Sequence, residues 1–143
     1  MPVSLDDASC VSIPASILSE IAQLNPDQSK HVQTELKKIT SANYTPAKLV
    51  YKQYGDLKVF RCGDEMRLFG VVLENIDVVD EFDHLVILLG VSEHEYEQAG
   101  VTKKQAQEVQ QAFGKVDSET AFWNQMNGRV FDEDDINSLF EPD

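Results

Sequence analysis

Residues 51–72 read YKQYGDLKVFRCGDEMRLFGVV, and residues 84–91 read HLVILLGV. Gly55-Asp56 and Gly63-Asp64 are turn-forming pairs, and the runs beside them, Leu57–Val59, Met66–Leu68 and Val71–Val72, are short, with Lys58 and Arg67 flanked by apolar residues in the first two. The spacing predicts an antiparallel meander entered through Leu49 and Tyr51, which alternate with polar residues. Asn75 to Asp83 is a polar connection, and Leu85 to Leu89 is apolar throughout, as a central strand would be.

Working outward, the upstream segment reads as helix. Ser12, Ile13 and Pro14 look like a helix entry, with Ile17, Leu18, Ile21 and Leu24 on one face. Asn25-Pro26-Asp27 breaks the pattern, and a second helix from Asp27 to Thr40 turns Val32, Leu36 and Ile39 inward and Lys30, Lys37 and Lys38 outward. Downstream, Thr102 with Gln105 suggests a capping box, followed by Ala106, Val109 and Phe113 on a helix laid against the core. A shorter helical run from Ser118 carries Phe122, Trp123 and Met126, and an acidic tail, VFDEDDINSLFEPD, follows.

At 143 residues and 42% hydrophobic, the chain is the size of one globular domain with a real core. No apolar run approaches the roughly 20 residues that a membrane helix requires. The opening MPVSLDDASC has Asp6 and Asp7 where a secretory signal would carry positive charge, so the expected location is cytoplasmic, away from any membrane. Cys10 and Cys62 form neither a CxxC pair nor a zinc-spaced set with histidine, which indicates buried thiols and no metal or other cofactor. In the tail, FDEDD offers acids at useful spacing for Ca²⁺, but Asn137 stands where an EF-hand loop requires glycine.

Charge is unevenly placed. The formal net charge is −13, yet Lys30, Lys37, Lys38, Lys48, Lys52, Lys58, Arg61 and Arg67 are eight of the twelve cations and share residues 30–67 with only four acids. Surface charge selects partners more than fold. A high-salt host, a self-covering acidic tail or mimicry of a polyanion would each explain the acidity; nine lysines against three arginines do not single out the first. Ile136, Leu139 and Phe140 share a helical face, so the tail is expected to fold as a short amphipathic helix from Phe131 to Phe140 and dock on its own domain or on a partner; on its own domain its acids could lie against the basic island.

The order helix, helix, meander, central strand, helix, with GDLKVFRCGDEMRLFG and the late HLVILLGV, resembles the RelE/ParE superfamily of toxin-antitoxin toxins over roughly residues 10–110. Arg61, Gly63-Asp64, Arg67 and Leu85–Val91 take the places of the family's arginine-bearing strand, turn, second arginine and final strand, with Met66 where an aromatic usually stands. The resemblance implies an α+β, RelE-like domain (residues 1–113) in which an N-terminal helical hairpin packs on a small twisted antiparallel sheet. A helical acidic C-terminal extension (114–143) follows it.

For the family's RNA-cleaving branch the resemblance implies a metal-independent endoribonuclease acting on translated mRNA at the ribosome, held in check by a cognate antitoxin protein. Such chemistry needs a base for the 2′-hydroxyl, cations round the pentacovalent phosphate and an acid for the leaving oxygen. By motif position Lys58 is the base or charge stabiliser, Arg61 and Arg67 the phosphate clamps, and His94 or Tyr96 the acid, with Lys37, Lys38, Lys48 and Lys52 as RNA contacts. The expectation is that Lys58, Arg61 and Arg67 converge on one concave face.

Other readings stand beside this one. After the last strand SEHEYEQAG places Glu93, Glu95 and Glu97 where RNA-cleaving members carry a basic residue. The three strand cations could instead be solvent-facing partners of Asp64, Glu65 or Glu74, and Tyr44 and Tyr51 could be core residues or base-stacking platforms. A non-catalytic binding protein on the same scaffold, a ParE-like gyrase inhibitor or an acidic partner-binding module, is the alternative function.

Overall fold

The structure is a computed structural model that describes residues 9–41, 46–74, 76–79, 82, 84–93, 103–126 and 128–140. The first element is a strand, β1 (Ser9–Ile13), followed by helices α1 (Ala15–Ala22) and α2 (Pro26–Thr40) and a single turn, α3 (Pro46–Leu49). Strands β2 (Val50–Tyr54), β3 (Leu57–Cys62), β4 (Met66–Leu73) and β5 (His84–Ser92) come next. Helices α4 (Lys103–Gly114) and α5 (Glu119–Gln125), strand β6 (Arg129–Phe131) and helix α6 (Glu133–Phe140) complete the order.

These strands form one six-stranded mixed sheet in the order β2-β3-β4-β5-β1-β6. The expected small antiparallel sheet under an N-terminal helical hairpin is therefore corrected. A strand precedes the hairpin, and it pairs in parallel with β5 through Ser9↔His84 to Ser12↔Ile87. The physical reason is double-sided burial. All five residues of β1 are buried, so SCVSI shows no alternation and its Ser12-Ile13-Pro14 end resembles a helix entry. Pro14 does abut a helix, but as the N-cap of α1 after the strand has ended.

The meander itself forms where the sequence places it, with β2, β3, β4 and β5 antiparallel in succession. Gly55 and Gly63 adopt φ of 66° and 68°, the left-handed conformation that glycine takes at least cost. Gly70 serves a different need: a Cβ there would lie 2.5 Å from the Ile87 carbonyl oxygen, so β4 and β5 approach this closely because the residue has no side chain.

Two apolar layers follow from side-chain alternation. On one face Val11, Ile13, Phe60, Cys62, Leu68, Val72, Val86 and Leu88 meet Ile17 and Ile21 of α1 and Val32, Leu36 and Ile39 of α2. On the other, Cys10, Leu57, Val59, Phe69, Val71, Leu85 and Ile87 meet Ala106 of α4 and Phe122 of α5. The two cysteines lie on opposite faces, which keeps them as separate buried thiols. α2 is opened by a capping box in which Asn25 Oδ1 accepts from the Gln28 amide at 2.8 Å and Gln28 Oε1 accepts from the Asn25 amide at 3.3 Å.

The acidic C-terminal segment belongs to this architecture. β6 pairs antiparallel with β1, and α6 packs against α2 with Ile136 fully buried and Phe140 partly so; Leu139 faces solvent. Asp132 and Asp135 cap the helix reciprocally, Asp132 Oδ1 accepting from the Asp135 amide at 2.8 Å and Asp135 Oδ2 from the Asp132 amide at 3.1 Å. The acids that open α6 thus follow β6, three strand spacings or roughly 14 Å from β4. That exceeds the Debye length of about 8 Å at physiological salt, so these acids do not cover Arg61 or Arg67; α6 lies instead against α2, the helix that carries Lys30, Lys37 and Lys38 of the basic island. Ile136→Ala should cost about 2–5 kcal/mol by leaving a cavity between α6 and α2, measurable as a lower denaturant midpoint.

Candidate functional site

Arg61 and Arg67 are directly opposed across β3 and β4 and share a face. Like charges in this position are unfavourable on their own. Three groups offset the repulsion. Arg61 Nη2 forms an ion pair with Asp64, Arg61 Nε donates to the Gly63 carbonyl at 3.1 Å, and Arg67 Nη1 donates to the Gly63 carbonyl at 3.3 Å and the Met66 carbonyl at 2.8 Å. Arg67 is only 9% exposed, whereas Arg61 is open to solvent.

The ring of Tyr51 is the centre of the cluster. The guanidinium carbons of Arg67 and Arg61 stand 5.1 and 5.6 Å from its centroid, and Lys52 Nζ stands 5.4 Å away. These are cation–π distances. Strict alternation would place Tyr51 and Lys52 on opposite faces of β2. Instead the register steps from Val50↔Phe60 to Lys52↔Val59, a bulge that leaves Tyr51 as the extra residue. Val50 consequently packs on the α1–α2 layer, while Tyr51 and Lys52 both turn to the arginine face. With 45% of its surface exposed, Tyr51 is a platform and not a core residue.

Lys58 does not join them. It alternates with Phe60 and Cys62, which belong to the α1–α2 layer, and its Nζ donates to Gln53 Oε1 and the Gly55 carbonyl, both at 3.1 Å. The expected convergence of Lys58, Arg61 and Arg67 is therefore corrected to Arg61 and Arg67 alone, because three residues along a regular strand reverse the face. Lys37 and Lys38 are exposed in the last turn of α2, where cations complement the helix C-terminus, and Lys48 is exposed on α3. Of the four lysines read as RNA contacts, Lys52 alone belongs to the tyrosine cluster. His94, Tyr96, Glu95, Glu97 and Tyr44 lie outside the described residues.

Glu93, which the sequence places beside the proposed centre, is turned away from it. Gln28 of α2 donates through Nε2 to Glu65 Oε1 at 2.8 Å and to Glu93 Oε1 at 3.3 Å. Both carboxylates are thereby held by the helix layer. The arginine face presents two guanidinium groups, an ammonium and an aromatic ring, a set suited to a phosphodiester backbone and a stacked base. Among the described residues no group of three His, Cys, Asp or Glu could hold a metal ion, and no helix is long and apolar enough to cross a membrane. No protein-family model, curated protein or solved structure matches the chain.

Tyr51 and Lys52 were the residues hardest to place from sequence, since nothing in LVYKQYG announces the bulge. Behind the site, Glu35 of α2 is buried, and burial raises its carboxyl above the ordinary range, with Lys38 pulling the other way. The Cys62 thiol is also pushed up, first by burial and then by the negative charge of Glu35. For Glu35 the folded state holds the proton to higher pH than the unfolded chain. Its contribution to stability is complete below the ordinary carboxylate range and is lost as pH rises through the raised value. Glu35→Gln should accordingly raise the urea midpoint at neutral pH and leave it close to wild type in acid, where both side chains are uncharged.

Proposed function

We propose that this protein is a toxin-like component of a toxin-antitoxin system that grips single-stranded RNA on the Tyr51 face and cleaves translated mRNA without a metal. The observation that carries the reading is the directly opposed Arg61–Arg67 pair beneath an exposed tyrosine ring. Two guanidinium groups side by side suit the non-bridging oxygens of a phosphate, and the ring offers a stacking surface that tolerates any base. In the cleavage step the 2′-hydroxyl gives its proton to water and its oxygen bonds to phosphorus to form a 2′,3′-cyclic phosphate, while the bond from phosphorus to the 5′-oxygen breaks and that oxygen takes up a proton. Charge accumulating on the non-bridging oxygens is held by the arginine pair, the kind of fixed electrostatic stabilisation that lowers such barriers.

The family resemblance assigns protonation of the leaving oxygen to His94 or Tyr96. Lys58 is left out of the centre, because it faces the other layer. That placement also favours the second reading, a non-catalytic binding protein that uses the same face, since it removes the lysine to which the base role was assigned. Partners under the first reading are the ribosome with its mRNA and a cognate antitoxin that neutralises the protein.

Expression of the chain alone should arrest growth and leave cut mRNA detectable by primer extension. Arg61→Ala and Tyr51→Ala should relieve the arrest with little change in thermal transition, because both side chains are exposed. Loss of the Tyr51 stack should weaken RNA binding by about tenfold or more. Arg67→Ala should relieve the arrest as well but also destabilise the fold, since this buried side chain holds two carbonyls. Absence of RNA binding would exclude the RNA-cleaving reading, and capture of a single partner protein without growth arrest would select the binding-protein reading.

A further inference from the structure

One carbonyl oxygen serves both arginines. Gly63 O accepts from Arg61 Nε at 3.1 Å and from Arg67 Nη1 at 3.3 Å, so the orientation of this peptide bears on the separation of the two guanidinium groups. Gly63 holds it at φ 68°. From the opposite layer, His31 of α2 is packed against the same residue: a Cβ at Gly63 would stand 2.6 Å from His31 Nδ1 and 2.8 Å from its Cγ. No L side chain fits there while the ring is in place.

The contact is part of a stripe. Gln28, His31 and Glu35 recur at helical spacing along α2, and Gln28 binds Glu65 at one end of the β3–β4 turn and Glu93 at the end of β5. We infer that the Gly63 carbonyl is a common anchor that sets the spacing of Arg61 and Arg67, and that His31 is a positioning residue that seats it. The helix on one side of the sheet thereby adjusts the anion grip on the other. This inference rests on the RNA-binding reading of the Tyr51 face.

The test measures binding of a fluorescent single-stranded oligouridylate by the full chain as salt is raised from roughly 50 to 200 mM, the range over which phosphate contacts are lost. Each phosphate contact contributes about 0.7 to the slope of log affinity against log salt for single strands. Arg67→Ala should lower the slope by about that amount. Gly63→Ala, which retains both arginines, should lower it by a similar amount, since Cβ and the ring cannot occupy the same space. His31→Ala in the Gly63→Ala background should restore the slope; strain at positive φ is common to both variants, so the recovery isolates the ring contact. A global loss of stability would reduce the bindable fraction and leave the slope alone.

A folded Gly63→Ala protein with the wild-type slope, beside a weakened Arg67→Ala, would overturn the anchor while sparing the RNA-binding reading. Wild-type binding by Arg67→Ala would overturn that reading and the anchor with it. Should Gly63→Ala fail to fold, His31→Ala alone decides: affinity reduced about threefold or more with a lower slope supports the anchor, and wild-type behaviour overturns it.

Discussion

A sheet whose strands β1, β4 and β5 are buried on both faces must carry a helical layer above and below it, and this requirement assigns a task to every other segment. α1, α2 and α6 cover one face, and α4 and α5 cover part of the other. Because β1 runs parallel to β5, the chain between them cannot return by a tight turn, and the helices and the meander supply the connection. The cover is not uniform. Lys103 of α4 lies beside Gly55, and Gln110 and Phe113 lie beside Leu73, all at the end of the sheet away from the Gly63 turn. At the Gly63 end Tyr51 and Arg61 keep contact with solvent, which is what a binding face on an otherwise enclosed sheet requires.

Placing two arginines opposite each other is an unfavourable arrangement that the fold tolerates through local hydrogen bonding. Arg67 is largely buried beside Tyr51, and its Nη1 donates to the carbonyls of Gly63 and Met66. Arg61 is exposed and takes Asp64, its one ion-pair partner among the described residues. An exposed ion pair of this kind is worth at most about 1 kcal/mol and is readily exchanged for another anion. The pair is therefore held firmly on its buried member and loosely on its exposed one, so Asp64 can exchange for another anion without disturbing Arg67.

Local chemistry that is repeated in sequence and structure was legible, and features that depend on partners far along the chain were not. Gly55-Asp56 and Gly63-Asp64 announce their turns because positive φ selects glycine. The apolar spacing of Ile17 and Ile21 and of Val32, Leu36 and Ile39 announces α1 and α2 because each buries one stripe. β1 was concealed because burial on both faces erases alternation, and β6 because three residues carry too little pattern. At the site, Arg61 and Arg67 could be singled out by type and by their position round the turn. Their opposition is a matter of register, the place of Lys58 follows from parity, and the arrival of Tyr51 and Lys52 depends on a bulge with no residue of its own to mark it.

The distribution of acid also has a structural logic that net charge conceals. A total of −13 would repel RNA if it were spread evenly, and screening is what permits a local exception. Glu65 and Glu93, near the arginine pair in sequence or register, are bound by Gln28 on the helix layer. Glu133, Asp134 and Asp135 sit at the start of α6, which follows the edge strand β6 and packs on α2, where the exposed helix amides favour negative charge. Fold stability therefore draws these carboxylates to positions that also leave the Tyr51 face positive. The acids of α6 can keep the protein acidic overall and spare the Tyr51 face, because they stand three strands from β4, farther than a charge reaches in physiological salt, while Glu65 and Glu93 are held on the opposite layer by Gln28.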